Sequence, residues 1–209
     1  MNLDPIREYL LETSRTAART AEACAEEILG ATAAIVESLR GGGKILLCGN
    51  GGSAGDAQHL ATEFVSTLTV DRRRDAIPAI ALTTDSSLIT AVANDFGFDG
   101  VFARQVDALG REGDVLVGIS TSGNSENVVQ AFARARAARI RTIALTGESG
   151  GKLGALADIE INVPSSETSH VQEAHIAVGQ QWVGFVQEHA LQLPHHRIEN
   201  RHMGGVDEF

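Results

Sequence analysis

His59 and Glu63 stand four residues apart in the stretch CGNGGSAGDAQHLATEF, residues 48–64. On a helix that spacing puts both side chains on one face. An imidazole and a carboxylate so placed can share a metal ion, pass a proton, or form a plain surface pair. Just upstream, Gly49, Gly51 and Gly52 surround Asn50 and lead into Ser53. A glycine turn there lets a ligand come close to the chain just before the helix begins. A second chemical stretch, Ser120-Thr121-Ser122-Gly123-Asn124-Ser125, follows the apolar run DVLVGI. Four of its six residues carry hydroxyls. A helix starts there, so free backbone N–H groups and the helix dipole attract an anion, and the hydroxyls add donors. Ser122, Asn124 and Ser125 could serve only as helix caps; their density around a glycine after a strand points instead to a ligand. Neither loop contains Lys or Arg, so an anion would be held mainly by dipoles. The first loop lacks the Lys of a P-loop and the spacing of a dinucleotide fingerprint, which argues against nucleotide hydrolysis and hydride transfer.

Both loops need a scaffold, and the surrounding pattern supplies one. A helical segment spans residues 4–40, opening on Asp4-Pro5 as cap and first turn, with a break expected near Gly30. Gly41, Gly42 and Gly43 end it. Apolar runs then alternate with helical patterns. KILLC (44–48), PAIAL (78–82), DVLVGI (114–119), TIAL (142–145) and IEINV (159–163) read as strands. Helices are expected over 53–68, 86–92, 124–136 and 168–191. Strands with few charges, separated by helices, predict a parallel sheet covered on both faces. The fold class is therefore a doubly wound α/β domain with an added N-terminal helical segment. Residues 1–193 read as one domain and 194–209 as a C-terminal tail whose histidines lie in a solvated extension.

The 209 residues suffice for one domain with a sizeable core. The net charge of −10 argues against nucleic-acid or anionic-membrane partners, yet leaves room for a small anionic substrate at a local site. Cys24 and Cys48 form no disulfide framework and read as half-buried thiols in a reducing compartment. No secretory leader or bilayer-spanning run is visible, so a cytoplasmic location is expected. Asp71-Arg72-Arg73-Arg74-Asp75 reads as a self-paired solvated loop. Trp182, with Val178, Phe185 and Val186 at helical spacing, reads as core or subunit packing.

The segments CGNGGSAGDAQHLATEF, TAVANDFGFDGVFARQV, GREGDVLVGISTSGNSENV, TGESGGKL and VQEAHIAV together resemble the sugar isomerase (SIS) domain, specifically its sedoheptulose 7-phosphate isomerase, or phosphoheptose isomerase, family. The resemblance runs from about residue 44 to 190. It implies a five-stranded parallel sheet flanked by helices and a homotetramer with active sites shared between subunits. The implied reaction converts a ketose phosphate to an aldose phosphate through an enediol, for bacterial heptose synthesis. The family's substrate contacts fall on Asn50, Gly51, Gly52 and Ser53, on Asn94 and Asp95, and on Gln172. Its phosphate loop falls on Ser120, Thr121, Ser122 and Ser125. Its zinc ligands fall on His59, Glu63 and Gln172, with Glu63 also the implied carbon base. One branch of the fold binds the bacterial replication initiator instead of doing chemistry, and a non-catalytic phosphosugar-binding protein is the companion alternative.

One position departs from the family pattern. Where the family has a His that is both zinc ligand and proton carrier, this chain has Gln180. An amide can hydrogen-bond or ligate weakly, but it cannot accept a proton near neutral pH. The expected consequences are low or absent turnover and weakened zinc. His175 lies about 140° from position 180 on an ideal helix, which makes it a poor substitute.

Overall fold

The structure is a computed structural model that describes residues 3–69 and 74–189. The Asp71–Arg73 part of the arginine run and the expected tail lie outside the described residues. Five strands form one parallel sheet: β1 (Ile45–Gly49), β2 (Ala79–Ala81), β3 (Val115–Ser120), β4 (Arg141–Thr146) and β5 (Ile159–Asn162). Their order is β2-β1-β3-β4-β5. Eight α-helices flank them among the described residues: α1 (Asp4–Ala23), α2 (Ala25–Arg40), α3 (Gly52–Val65), α4 (Ser86–Phe96), α5 (Val101–Leu109), α6 (Glu126–Ala137), α7 (Gly151–Leu156) and α8 (Thr168–His189).

Side chains alternate across each strand, so consecutive apolar residues serve two cores. Ile45 and Leu47 join Val115, Val117 and Ile143 beneath α2, α3 and α8. Leu46 and Cys48 join Leu116 and Ala144 beneath α4, α5, α6 and α7. Trp182 of α8 is fully buried in the first core, as expected, whereas Phe185 is exposed. Each large apolar side chain so enclosed contributes about 1.5–3 kcal/mol. Among the described residues, no helix is long and apolar enough to cross a membrane.

Several boundaries correct the sequence reading. The N-terminal segment breaks at Cys24, not Gly30, which lies inside α2. Cys24 adopts φ −121° and ψ 12°, and its thiol donates to the Asn162 carbonyl at 3.2 Å. The kink lets α2 lie on the sheet while α1 lies on α8, where Tyr9 and Thr13 hydroxyls both donate to Glu173 at 2.8 Å. Both cysteines are buried, not half-buried, and burial pushes the Cys48 thiol up to about 12. Leu3, not Asp4, flanks the start of α1. Helix α3 ends at Val65, short of residue 68, and its last carbonyls are taken up by Arg74, which donates to Glu63 and Phe64 at 2.7 and 2.8 Å, and by the Ile77 N–H, 3.1 Å from the Phe64 oxygen. Helix α4 runs on to Phe96, which places Asn94 and Asp95 in its last turn. Helices α5 and α7 add two elements that the strand-and-helix reading lacked.

Candidate active site

Strand β1 is the point where the sheet's winding reverses: β2 lies on one side of it and β3 on the other. In open α/β sheets, ligands bind beyond the carboxyl ends of the strands at this switch point. The two loops singled out by their chemistry are the ones that leave β1 and β3 there, since Gly49 pairs with Ile119. A separate groove of about 710 Å³ lies at the other end of the sheet, beside Lys44, Pro78, Val115 and Arg141. Three of its cations are paired, Lys44 with Asp114 at 2.5 Å, Arg141 with Glu37 at 3.6 Å and Arg139 with Glu112.

After β1, Gly51 takes φ +55°, a conformation that favours glycine. Gly52 then lies under the Gln172 amide: a Cβ added at Gly52 would come within 2.7 Å of its Nε2. The turn thus brings Gln172 of α8 to the start of α3, where Ser53 is buried. The Asn50 amide is turned into a reciprocal pair with Asn127, both bonds 2.9 Å. This pair ties the first loop to the helix that follows the second. Asn127 was not among the expected site residues, although it lies in the quoted segment GNSENV.

The hydroxyl loop is ordered from within. Ser120 Oγ and Ser125 Oγ are 3.0 Å apart. Helix α6 begins at Glu126 and not at Asn124, and Ser125 flanks its start without a side-chain cap bond. The Asn124 backbone N–H donates to Ser122 Oγ at 3.2 Å, and the Gly147 N–H donates to the Thr121 carbonyl at 3.0 Å. Ser122 is exposed and Thr121 half-buried, so the loop keeps hydroxyls open to an anion. Lys152, absent from the sequence-derived site, stands at the loop's edge. Its N–H reaches Asn124 Oδ1 at 3.2 Å, and its ammonium lies 3.3 Å from Glu126.

The helical pair forms as the spacing predicts. His59 Nε2 lies 3.7 Å from Glu63 Oε1, with the imidazole half-exposed and the Glu63 side chain only 19 % exposed. Gln180 reaches the same nitrogen: its Nε2 is 2.6 Å from His59 Nε2. Close approach of α8 to α3 allows this, because a Cβ at Gly179 would come within 2.5 Å of Leu60. Asp56, one turn before His59, is a further group that the sequence reading missed. Burial raises its carboxyl above the usual range, opposed by the charge of His59, and among the described residues its Oδ2 has no hydrogen-bond partner. Asn94 and Asp95 bond to each other at 2.7 Å, and among the described residues no hydrogen bond joins them to either loop. His175 is enclosed and donates from Nε2 to the Thr146 carbonyl at 3.0 Å. Burial outweighs that bond and pushes its imidazole down to about 4, which removes it from proton transfer at the site.

The donors around His59 do not fit a zinc ion. Zinc favours imidazole and thiolate, and two of its tetrahedral ligands stand roughly 3.3 Å apart when each is 2.0–2.1 Å from the metal. Here one imidazole and one carboxylate stand with amides, and Gln180 Nε2 lies 2.6 Å from His59 Nε2 where a second imidazole would be needed. Among the described residues, no three His, Cys, Asp or Glu side chains gather as a metal would require.

A five-stranded parallel sheet with a hydroxyl loop at its switch point defines the class, and the SIS domain family matches residues 8–147. A phosphoheptose isomerase from Aliarcobacter butzleri is 51 % identical over 171 residues, covering 82 % of this chain and 89 % of that one. The solved phosphoheptose isomerase of Francisella tularensis has a TM-score of 0.85 at 40 % identity, covering 90 % of this chain and 100 % of that one. That of Neisseria gonorrhoeae has a TM-score of 0.83 at 42 % identity, covering 88 % and 98 %. The chain belongs to the phosphoheptose isomerase family of SIS-domain enzymes.

Proposed function

We propose that this chain converts sedoheptulose 7-phosphate to D-glycero-D-manno-heptose 7-phosphate through an enediol. The observation that supports this most is the His59–Glu63 pair, 3.7 Å apart with the Glu63 side chain largely shielded, in a chain that also carries the hydroxyl loop at its sheet's switch point. Aldose–ketose exchange moves a proton between adjacent carbons, which needs a carbon base, a route for the hydroxyl proton, and charge stabilisation on oxygen. Glu63 is the carbon base. The loop from Ser120 to Ser125 takes the phosphate and fixes the distance from it to the reacting carbons. Gln172 and the Gly51-Gly52 turn contact the sugar. Gln180 offers a hydrogen bond but carries no proton, so turnover in this chain is slow.

Replacing Ser122 and Ser125 together by Ala is expected to weaken sugar-phosphate binding at least about tenfold, since hydrogen bonds to a charged group contribute about 1.5–3 kcal/mol each. Calorimetry with sedoheptulose 7-phosphate checks this, and unchanged affinity with an intact fold would remove the phosphate from this loop. The contact of Gln180 with His59 also favours a second reading, a phosphosugar-binding protein without turnover. Binding by calorimetry with no product in an isomerase assay would select it.

The active form is a homo-oligomer, a tetramer by resemblance. Ile6, Leu10 and Leu11 on α1 and Leu29 on α2 expose apolar surface in the single chain, of the kind that partner subunits cover. Light scattering at micromolar concentration is expected to report an oligomer, and a stable monomer would contradict the assembly.

A further inference from the structure

Resting on the isomerase reading, the contact between Gln180 and His59 has a consequence for metal dependence. We propose that this chain's site works without a transition metal, because Gln180 commits the one imidazole nitrogen that a metal would use. As placed, the Gln180 amide nitrogen faces His59 Nε2 at 2.6 Å. An amide nitrogen only donates, so Nε2 accepts and the ring proton sits on Nδ1. With the amide turned over, Nε2 would carry the proton and donate to the Gln180 oxygen. Either arrangement leaves Nε2 with no free lone pair.

Other donors do not compensate. Glu63 Oε1 stands 3.7 Å from the same nitrogen and supplies one negative charge. Gln172, the remaining candidate, has its amide over the Gly52 backbone. To bind a divalent cation the site would break the Gln180–His59 bond and gain only a neutral amide oxygen, a donor better matched to hard cations than to zinc. Gln180 is thus a positioning residue: it holds the His59 ring and occupies the nitrogen that faces Glu63.

The test is a zinc titration of the full chain after dialysis against a chelator, with a chromophoric zinc chelator as competitor. Zinc alone is the probe, and the readout does not depend on turnover. Gln180→His, Gln180→Leu and His59→Ala are run beside the unaltered chain. Gln180→His is expected to bind zinc at least about 10-fold more tightly than the unaltered chain, the lower end of what one supporting group contributes at a metal site. Gln180→Leu frees Nε2 without adding a donor and is expected to gain far less. Equal tight zinc in the unaltered chain and in Gln180→His, lost in His59→Ala, would overturn the proposal. Tight zinc that survives His59→Ala would report a site elsewhere and leave the expectation for His59 standing. In parallel, sugar-phosphate affinity and any turnover are expected to be the same with and without chelator. Turnover abolished by chelator and restored by zinc would overturn metal independence while upholding the isomerase. Absent turnover with absent zinc would remove the isomerase reading and leave the closed imidazole in place.

Discussion

Gln180→His is expected to raise kcat on sedoheptulose 7-phosphate by about 10² or more, the usual value of one positioned acid/base group. Residue 180 already stands at the right place for this. Its side chain touches His59, on the helix that carries Glu63, and Gly179 keeps α8 close to α3. An imidazole there can accept and give up a proton, which the amide cannot. Backbone and phosphate loop are untouched, so KM is expected to change by no more than a few fold. Steady-state kinetics on the two proteins check this. If the unaltered chain already turns over at ordinary enzymatic rates, of about 1–10³ s⁻¹, residue 180 is not where the second proton is carried.

Glu63→Gln is expected to lower the remaining turnover by about 10²–10⁴ while sugar-phosphate affinity stays within a few fold. The substitution keeps shape and hydrogen bonding and removes only the ability to take a proton from carbon. Glu63 sits near the end of α3, its carbonyl held by Arg74, and its side chain is largely shielded. The change is therefore local, and thermal stability is expected to be nearly unaltered. Kinetics paired with calorimetry separate the two effects. A large loss of affinity with unchanged kcat would make Glu63 a binding group and not a base.

The sheet was legible because its strands are short, mostly apolar runs set between helical patterns, and because alternating side chains feed two cores. The pairing of His59 with Glu63 followed from spacing alone. The switch-point position of both loops did not, since strand order depends on contacts far apart in sequence. The reciprocal amide pair of Asn50 and Asn127 was hidden for the same reason, at a separation of 77 residues. Cys24 shows how a tertiary contact overrides propensity: its bond to Asn162 and its burial set the kink, while Gly30 stays helical. Helix α7 escaped because it has six residues and begins in a glycine cluster, so it carries little periodicity. Helix α5 has Phe102 and Val106 at helical spacing, a signal nine residues long that follows directly on Gly97 and Gly100. Asp56 could have been found as the carboxylate one turn before His59, but its buried, unpartnered oxygen is visible only in the fold.

The central claim is that Glu63 removes a proton from a carbon of a bound ketose phosphate. Incubating the chain with sedoheptulose 7-phosphate in D₂O and following the sugar by proton NMR tests it most directly. An enediol intermediate exchanges its carbon-bound proton with solvent through the base. The account predicts slow deuterium incorporation beside the carbonyl carbon, abolished in Glu63→Gln and accelerated in Gln180→His. Sugar phosphate that binds without any Glu63-dependent exchange, in the unaltered chain and in Gln180→His alike, would contradict it.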